Sequence, residues 1–191
     1  MSELRFPINK QDHILGSDDA PITLVEYGDY QCPHCQTAWP QVELVLKRFK
    51  NLLRYAYRHF PISTVHPIAK PAAETAEFAA THGLFWQTHS AIYANGPQLS
   101  GRTLVMIASR LGLDVADLQH ALDQGTHAPK VEFDLASGIR SGVNGTPCFF
   151  INGKRHDGGY DATSLSKAID AARRDVMPDL ARIPLTDPQR R

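Results

Sequence analysis

This 191-residue chain holds only three cysteines, which excludes a zinc site built from two close-spaced cysteine pairs. It has no excess of either charge: 20 basic residues balance 20 acidic ones. That balance, with no basic run interleaved with aromatics, argues against a nucleic-acid or other polyanion surface. No apolar run is long enough to span a bilayer, so no membrane insertion is expected. Internal repeats and low-complexity stretches are absent too. The opening Met1-Ser2-Glu3-Leu4-Arg5-Phe6-Pro7 carries no apolar signal core. The expectation from the chain as it stands is a cytoplasmic protein, or a periplasmic or extracytoplasmic one if an N-terminal signal was removed. What remains is 42% hydrophobic, enough to bury a sizeable core.

Two of the three cysteines form the most informative feature, Cys32-Pro33-His34-Cys35. Before them, Ile22 to Tyr27 is β-branched and apolar and reads as a buried strand; Gly28-Asp29-Tyr30-Gln31 then loosens the chain. Pro33 suits the first helical position, so Cys32 is predicted to cap a helix running to about Phe49. A cysteine there sits over unpaired backbone N–H groups and the positive end of the helix dipole. Both favour thiolate, lowering the pKa to somewhere around 3.5–7.5. Cys35 follows one turn later at a Cα separation of roughly 5 Å, within disulfide range. His34, between the sulfurs, is a candidate for tuning the thiolate by hydrogen bond or charge. Spacing alone also admits a structural disulfide or part of a metal site, for which Cys148 or a histidine would have to supply the third ligand.

Far downstream, Gly145-Thr146-Pro147 precedes the short apolar strand Cys148 to Ile151, and Asn152-Gly153 marks a tight hairpin into Lys154-Arg155-His156. Proline opening a strand is tolerated only at its first residue or on an edge. An ordinary trans bond there would be a loop feature; a cis bond would turn the Thr146 backbone outward to pair with an extended peptide.

Together, Val25-Glu26-Tyr27, Cys32-Pro33-His34-Cys35, Pro40 in the following helix, and Gly145-Thr146-Pro147 before Phe149-Phe150-Ile151-Asn152-Gly153 resemble the DsbA-like thiol-disulfide oxidoreductases. The resemblance spans roughly Ile22 to Arg174. It implies an α/β protein of thioredoxin-like fold with an inserted α-helical domain. It also implies Cys32 as nucleophile, Cys35 as resolving thiol, and Pro33 and the Thr146-Pro147 loop facing substrate. Glu26 falls where the family often keeps a buried carboxylate; an acid in an apolar strand should have a raised pKa, fit for relaying the Cys35 proton. Protein or peptide thiols and disulfides would be the partners, with a membrane oxidase, a thioredoxin-type reductase or glutathione as redox partner, and no cofactor. Alternatives are a glutathione-linked reductase or isomerase on the same fold, and a non-catalytic metal-binding module.

The rest of the chain accommodates that plan. A strand from Leu52 to Phe60 precedes an alanine-rich helical block: Pro71 to His82, Leu84 to Tyr93, Arg102 to Leu111, Val115 to Gln124 and Lys130 to Ser141. A final amphipathic helix runs from Ala162 to Arg174. The expected division is a thioredoxin-fold part over residues 1–61, the helical insertion over 62–141, a second thioredoxin-fold part over 142–176, and a mobile tail over 177–191. Trp39, Trp86, Phe78, Phe85 and Tyr93 are expected in the core. The nine histidines, among them His59, His66, His82, His89, His120 and His127, show no metal-binding spacing, and most are expected at the surface or in loops. Cys148 is expected to be buried and inert, pointing away from the face that Thr146 uses.

Overall fold

The computed structural model describes residues 2–178. Its strands are β1 (His13–Leu15), β2 (Ile22–Gly28), β3 (Leu53–His59), β4 (Cys148–Ile151) and β5 (Lys154–His156). They form one sheet in the order β1-β3-β2-β4-β5. β2 and β3 are parallel, and the other three pairings are antiparallel. A parallel pair needs a long crossover, supplied here by α1 (Pro33–Phe49). The helices α2 (Ala69–Ala80), α3 (Phe85–Asn95), α4 (Gly101–Arg110), α5 (Val115–Asp123) and α6 (Ala128–Arg140) lie between β3 and β4, and α7 (Ala162–Val176) closes the chain. This is the thioredoxin-like fold with a helical insertion.

Strand alternation splits the core in two. Ile22 and Leu24 on β2, Tyr55 and Tyr57 on β3, and Phe149 and Ile151 on β4 meet α1 and α7 through Val42, Val45, Leu165 and Ile169. Val25, Tyr27, Ala56, Cys148 and Phe150 face the other way, onto Phe60 and Val143. Cys148 is therefore buried on the side of the sheet opposite the Cys32-Cys35 helix, the orientation its register demands. Within the insertion, α2 is covered on nearly every side, and only small side chains such as Ala72, Ala73, Ala76 and Ala79 let so many helices approach it.

The sequence reading starts α2 at Pro71 and α6 at Lys130; both helices begin two residues earlier, at Ala69 and Ala128, so that Pro71 and Pro129 sit within the first turn, where a missing N–H still costs no helical bond. The short β1 was not anticipated, since three half-buried residues carry no periodic signal. Two histidines depart from the surface expectation: His59 and His89 are fully buried, enclosed by Tyr30, Tyr57 and Phe85. From residue 179 on, the expected tail lies outside the described residues.

Two buried charge clusters brace the sheet against its surroundings. Arg58 on β3 is bidentate to Asp12 at 2.7 and 2.9 Å and also donates to the Phe6 and Pro7 carbonyls, holding the N-terminal segment on the sheet. Glu77 on α2 accepts from His13 and His59, each at 2.8 Å. Burial works to raise the Glu77 pKa, but these two hydrogen bonds outweigh it and hold the carboxylate well below its usual range.

Helix α6 approaches Phe60 and Tyr27 closely at Gly138. A Cβ on Gly138 would lie 2.7 Å from the Phe60 ring and 2.9 Å from Tyr27. Gly138→Ala gains about 1 kcal/mol of helix propensity, while overpacking of this kind costs about 1–3 kcal/mol. The expected result is a net destabilisation, larger for Gly138→Val, read as a lower urea midpoint at unchanged slope. A midpoint that rises for both variants would refute the steric account.

Candidate redox site

Cys32 occupies the N-cap of α1 with extended backbone angles, and Pro33 opens the helix. No side chain caps this end, so the first-turn N–H groups remain available to the Cys32 sulfur. Both cysteines are free thiols, Cys32 5% and Cys35 0% exposed. The loop before them is fastened from below. Cys32 N–H donates to the Asp29 carbonyl at 3.1 Å, and Asp29 N–H points at Cys35 Sγ at 3.5 Å. The buried Asp29 carboxylate accepts from Gln31 N and Ile62 N, each at 2.8 Å, and contacts His66 Nδ1 at 2.9 Å. Asp29 thus ties the redox loop to the segment between β3 and α2. Nothing in the sequence separates it from an ordinary loop aspartate.

The second predicted element arrives beside the first. Cys32 Sγ donates to the Thr146 carbonyl at 3.3 Å across 114 residues of chain, and the Thr146-Pro147 peptide is cis. Pairing of β4 with β2, Tyr27 opposite Cys148, delivers this loop to the end of the strand that leads into Cys32.

Electrostatics divide the two thiols. The Cys32 pKa is lowered to about 5, chiefly because the Cys35 thiol donates to its sulfur. Partial burial opposes this, and the Thr146 side chain and the backbone N–H groups of Cys35 and His34 add to the lowering. Cys35 moves the other way, well above an ordinary thiol: burial is the main cause, with the hydrogen bond to Cys32 and the nearby Glu26 charge adding to it. A reactive thiolate at the surface end of the pair and a buried thiol behind it is the asymmetry that stepwise exchange requires.

Glu26 lies on the α1 face of β2 and is 1% exposed. Burial raises its pKa from 4.5 to about 8, partly offset by the Tyr55 hydroxyl, which donates to Oε2 at 2.6 Å. Oε1 is buried without a hydrogen-bond partner. His34 is placed differently from the sequence reading. Its backbone N–H serves Cys32, while its ring bonds the Tyr160 hydroxyl at 2.9 Å. Tyr160 and Tyr55 were both missed, because neither is near its partner in sequence. Pro33 is exposed at the rim.

Among the described residues, candidate metal ligands converge at His59, Glu77 and Asp134 rather than at the cysteines. Lys130 Nζ already sits 2.7 and 2.6 Å from the two Asp134 oxygens, and both histidines engage Glu77, so this cluster is charge-paired as it stands.

A family model described as thioredoxin matches residues 8–171. Among solved structures, oxidised BdbD from Bacillus subtilis superposes with a TM-score of 0.81 at 23% identity, covering 90% of this chain and 97% of that one. A thioredoxin-like oxidoreductase from Silicibacter pomeroyi gives 0.72 at 28% identity, covering 87% and 94%. Among curated proteins, the Na(+)/H(+) antiporter NhaA 1 of Salinispora arenicola is 40% identical over 171 residues, which cover 89% of this chain but 26% of that protein. The chain thus spans about a quarter of the length of the curated relatives it matches. No helix among the described residues is long and apolar enough to cross a membrane.

Proposed function

The chain belongs to the thioredoxin family and has the fold of its DsbA-like oxidoreductases, and from that footing we propose that it exchanges disulfides with protein substrates through Cys32 and Cys35. The observation that carries the reading is the pairing of a low-pKa, N-capping Cys32 with the Thr146-Pro147 loop at 3.3 Å.

In the oxidising direction, a substrate thiolate attacks Cys32 Sγ of the Cys32-Cys35 disulfide and Cys35 leaves as a thiolate. Its high proton affinity demands a proton at once, and Glu26, protonated at neutral pH and electrostatically coupled to Cys35, is the group this reading assigns to supply it. A second substrate thiolate then attacks the substrate sulfur of the mixed disulfide and expels Cys32. A thiolate with pKa about 5 is a good leaving group, so this step favours release of oxidised substrate and reduced enzyme. Two electrons pass from the substrate thiols to the enzyme disulfide. The reverse sequence reduces substrate, and the redox poise of the compartment selects between them. The low Cys32 pKa leans the couple towards oxidation. The half-buried backbone around Thr146 and Pro147 would hold an extended substrate segment by strand-like pairing, beside the exposed Pro33. Ion transport, named for the antiporter relatives, forms no part of this reading, which rests on the segment's own cysteines.

The test uses Cys35→Ser, which removes the resolving thiol and leaves the nucleophile. Incubated with a peptide disulfide, this variant should accumulate a reductant-sensitive covalent adduct on Cys32, visible by intact-mass spectrometry, and adding Cys32→Ser should eliminate it. No adduct at pH 7 would overturn the reading.

A further inference from the structure

His34, one of the two residues between the cysteines, has its own side-chain partner, carried by a distant loop. His34 Nδ1 lies 2.9 Å from the Tyr160 hydroxyl, and the two rings meet edge to face with centroids 6.2 Å apart. Only the backbone N–H of His34 reaches Cys32, while its imidazole is committed to Tyr160.

Tyr160 is itself firmly placed. It packs half-buried against the main core, between β5 and α7. The preceding loop is folded tightly: a Cβ on Gly158 would lie 2.7 Å from the His156 ring, and His156 Nε2 bonds the Gly159 carbonyl at 3.0 Å. On the other side, Asp161 caps α7 through Ser164 N at 3.0 Å, and Ala162 N donates to Gln41 Oε1 on α1 at 3.1 Å. The last contact fixes the loop to the same helix that carries His34. A hydroxyl delivered from such a support is a fixed anchor rather than a passing contact.

We propose that Tyr160 is a positioning residue of the redox site, whose hydroxyl holds the His34 imidazole off the Cys32 sulfur and so sets the couple at a less oxidising poise than His34 would otherwise impose. The chemistry follows from what a free imidazole does beside a thiolate. Donating an N–H to sulfur, or carrying a proton near it, stabilises the thiolate and with it the reduced form, which makes the disulfide more oxidising. While the ring is bound to Tyr160, that contribution is withheld. One neutral hydrogen bond biases a rotamer by about two- to tenfold, so the device adjusts the couple by a fraction of a pH unit to about one unit. No electron or proton passes through Tyr160; it acts only on where the ring resides.

This inference rests on the redox reading above, and its readouts are chosen to stand apart from that reading. The Cys32 thiolate is titrated by its ultraviolet absorbance, and the Cys32-Cys35 couple is equilibrated against glutathione, in wild type, Tyr160→Phe, His34→Ala and the double variant. Neither measurement uses a protein substrate, so failure of substrate exchange leaves both informative. Tyr160→Phe keeps the ring and its packing and removes only the hydroxyl; unfolding midpoints confirm that the variants are folded. The expected result is a Cys32 midpoint about half a unit lower in Tyr160→Phe, with the couple about threefold more oxidising, and no such shift when His34 is already alanine. The histidine nitrogen NMR shifts should also report loss of the hydrogen bond at Nδ1. An unchanged midpoint in Tyr160→Phe overturns the proposal. So does an equal shift in the His34→Ala background, which would assign the effect to general structure rather than to the ring.

Discussion

Cys32→Ser should lower disulfide exchange at least about a thousandfold, because it removes the nucleophile and leaves no other accessible thiol to replace it. Cys35 is fully buried with a raised pKa, and Cys148 is buried on the opposite face of the sheet, its thiol also raised, mainly by burial. The same variant reports on stability. The folded-state Cys32 pKa is lowered from 9.0 to about 5. A group with a depressed folded pKa contributes stability that is fully present above its unfolded value and is lost as pH falls through its folded value. Reduced wild type should therefore exceed Cys32→Ser in stability at pH 9, with the margin shrinking steadily and gone near pH 5. Urea unfolding of both proteins across that range measures it. Parallel curves would mean that the thiolate is not stabilised by the fold. Closing the disulfide removes this stabilisation, so the reduced protein should outlast the oxidised one at neutral pH, the thermodynamic signature of an oxidant.

Glu26→Gln carries the opposite sign. Burial raises the Glu26 pKa from 4.5 to about 8, so the carboxylate form is what the fold disfavours. The folded protein binds the extra proton, and stability is lost as pH climbs through the window from 4.5 to about 8. Glutamine keeps an acceptor for the Tyr55 hydroxyl and cannot ionise. The variant should match wild type near pH 4.5 and gain on it with rising pH, reaching at most about 4–5 kcal/mol above pH 8. Exchange should slow about tenfold or more near neutrality, because Cys35 loses its proton donor. A stability difference that stays flat from pH 5 to 9 would show that Glu26 does not titrate in this window. Tyr55→Phe offers a check in the other direction: losing the hydrogen bond that favours the charged form should move the Glu26 titration upward.

Much of this arrangement is legible in the amino-acid sequence, for local reasons. The strand Ile22 to Tyr27, the N-cap at Cys32 and the proline at the first helical position depend on neighbours within a few residues, and they reappear nearly as expected. The burial of Cys148 on the far face followed from a two-residue alternation. Helix starts slipped where a proline lay inside the first turn rather than at its head, a distinction that capping geometry makes and composition does not. Arg58 and Asp12 look like surface residues until 46 residues of chain fold back to pair them. Buried histidines escape the sequence reading for the same reason: His59 is tolerable inside because Glu77 arrives from α2 to pair with its ring Nε2.

By itself, the sequence determined that this chain carries a thiol pair at a helix N-terminus, on a thioredoxin-like scaffold interrupted by helices. That information is local: spacing, capping and periodicity act over one or two turns of backbone. The tertiary structure decided how the pair is tuned. Glu26 needed the sheet to dehydrate it, Cys32 needed Thr146 from 114 residues away, and His34 needed Tyr160 to set the ring's position. Each of these shifts an equilibrium through burial or a hydrogen bond between residues remote in sequence, and such energies exist only once the chain has closed on itself.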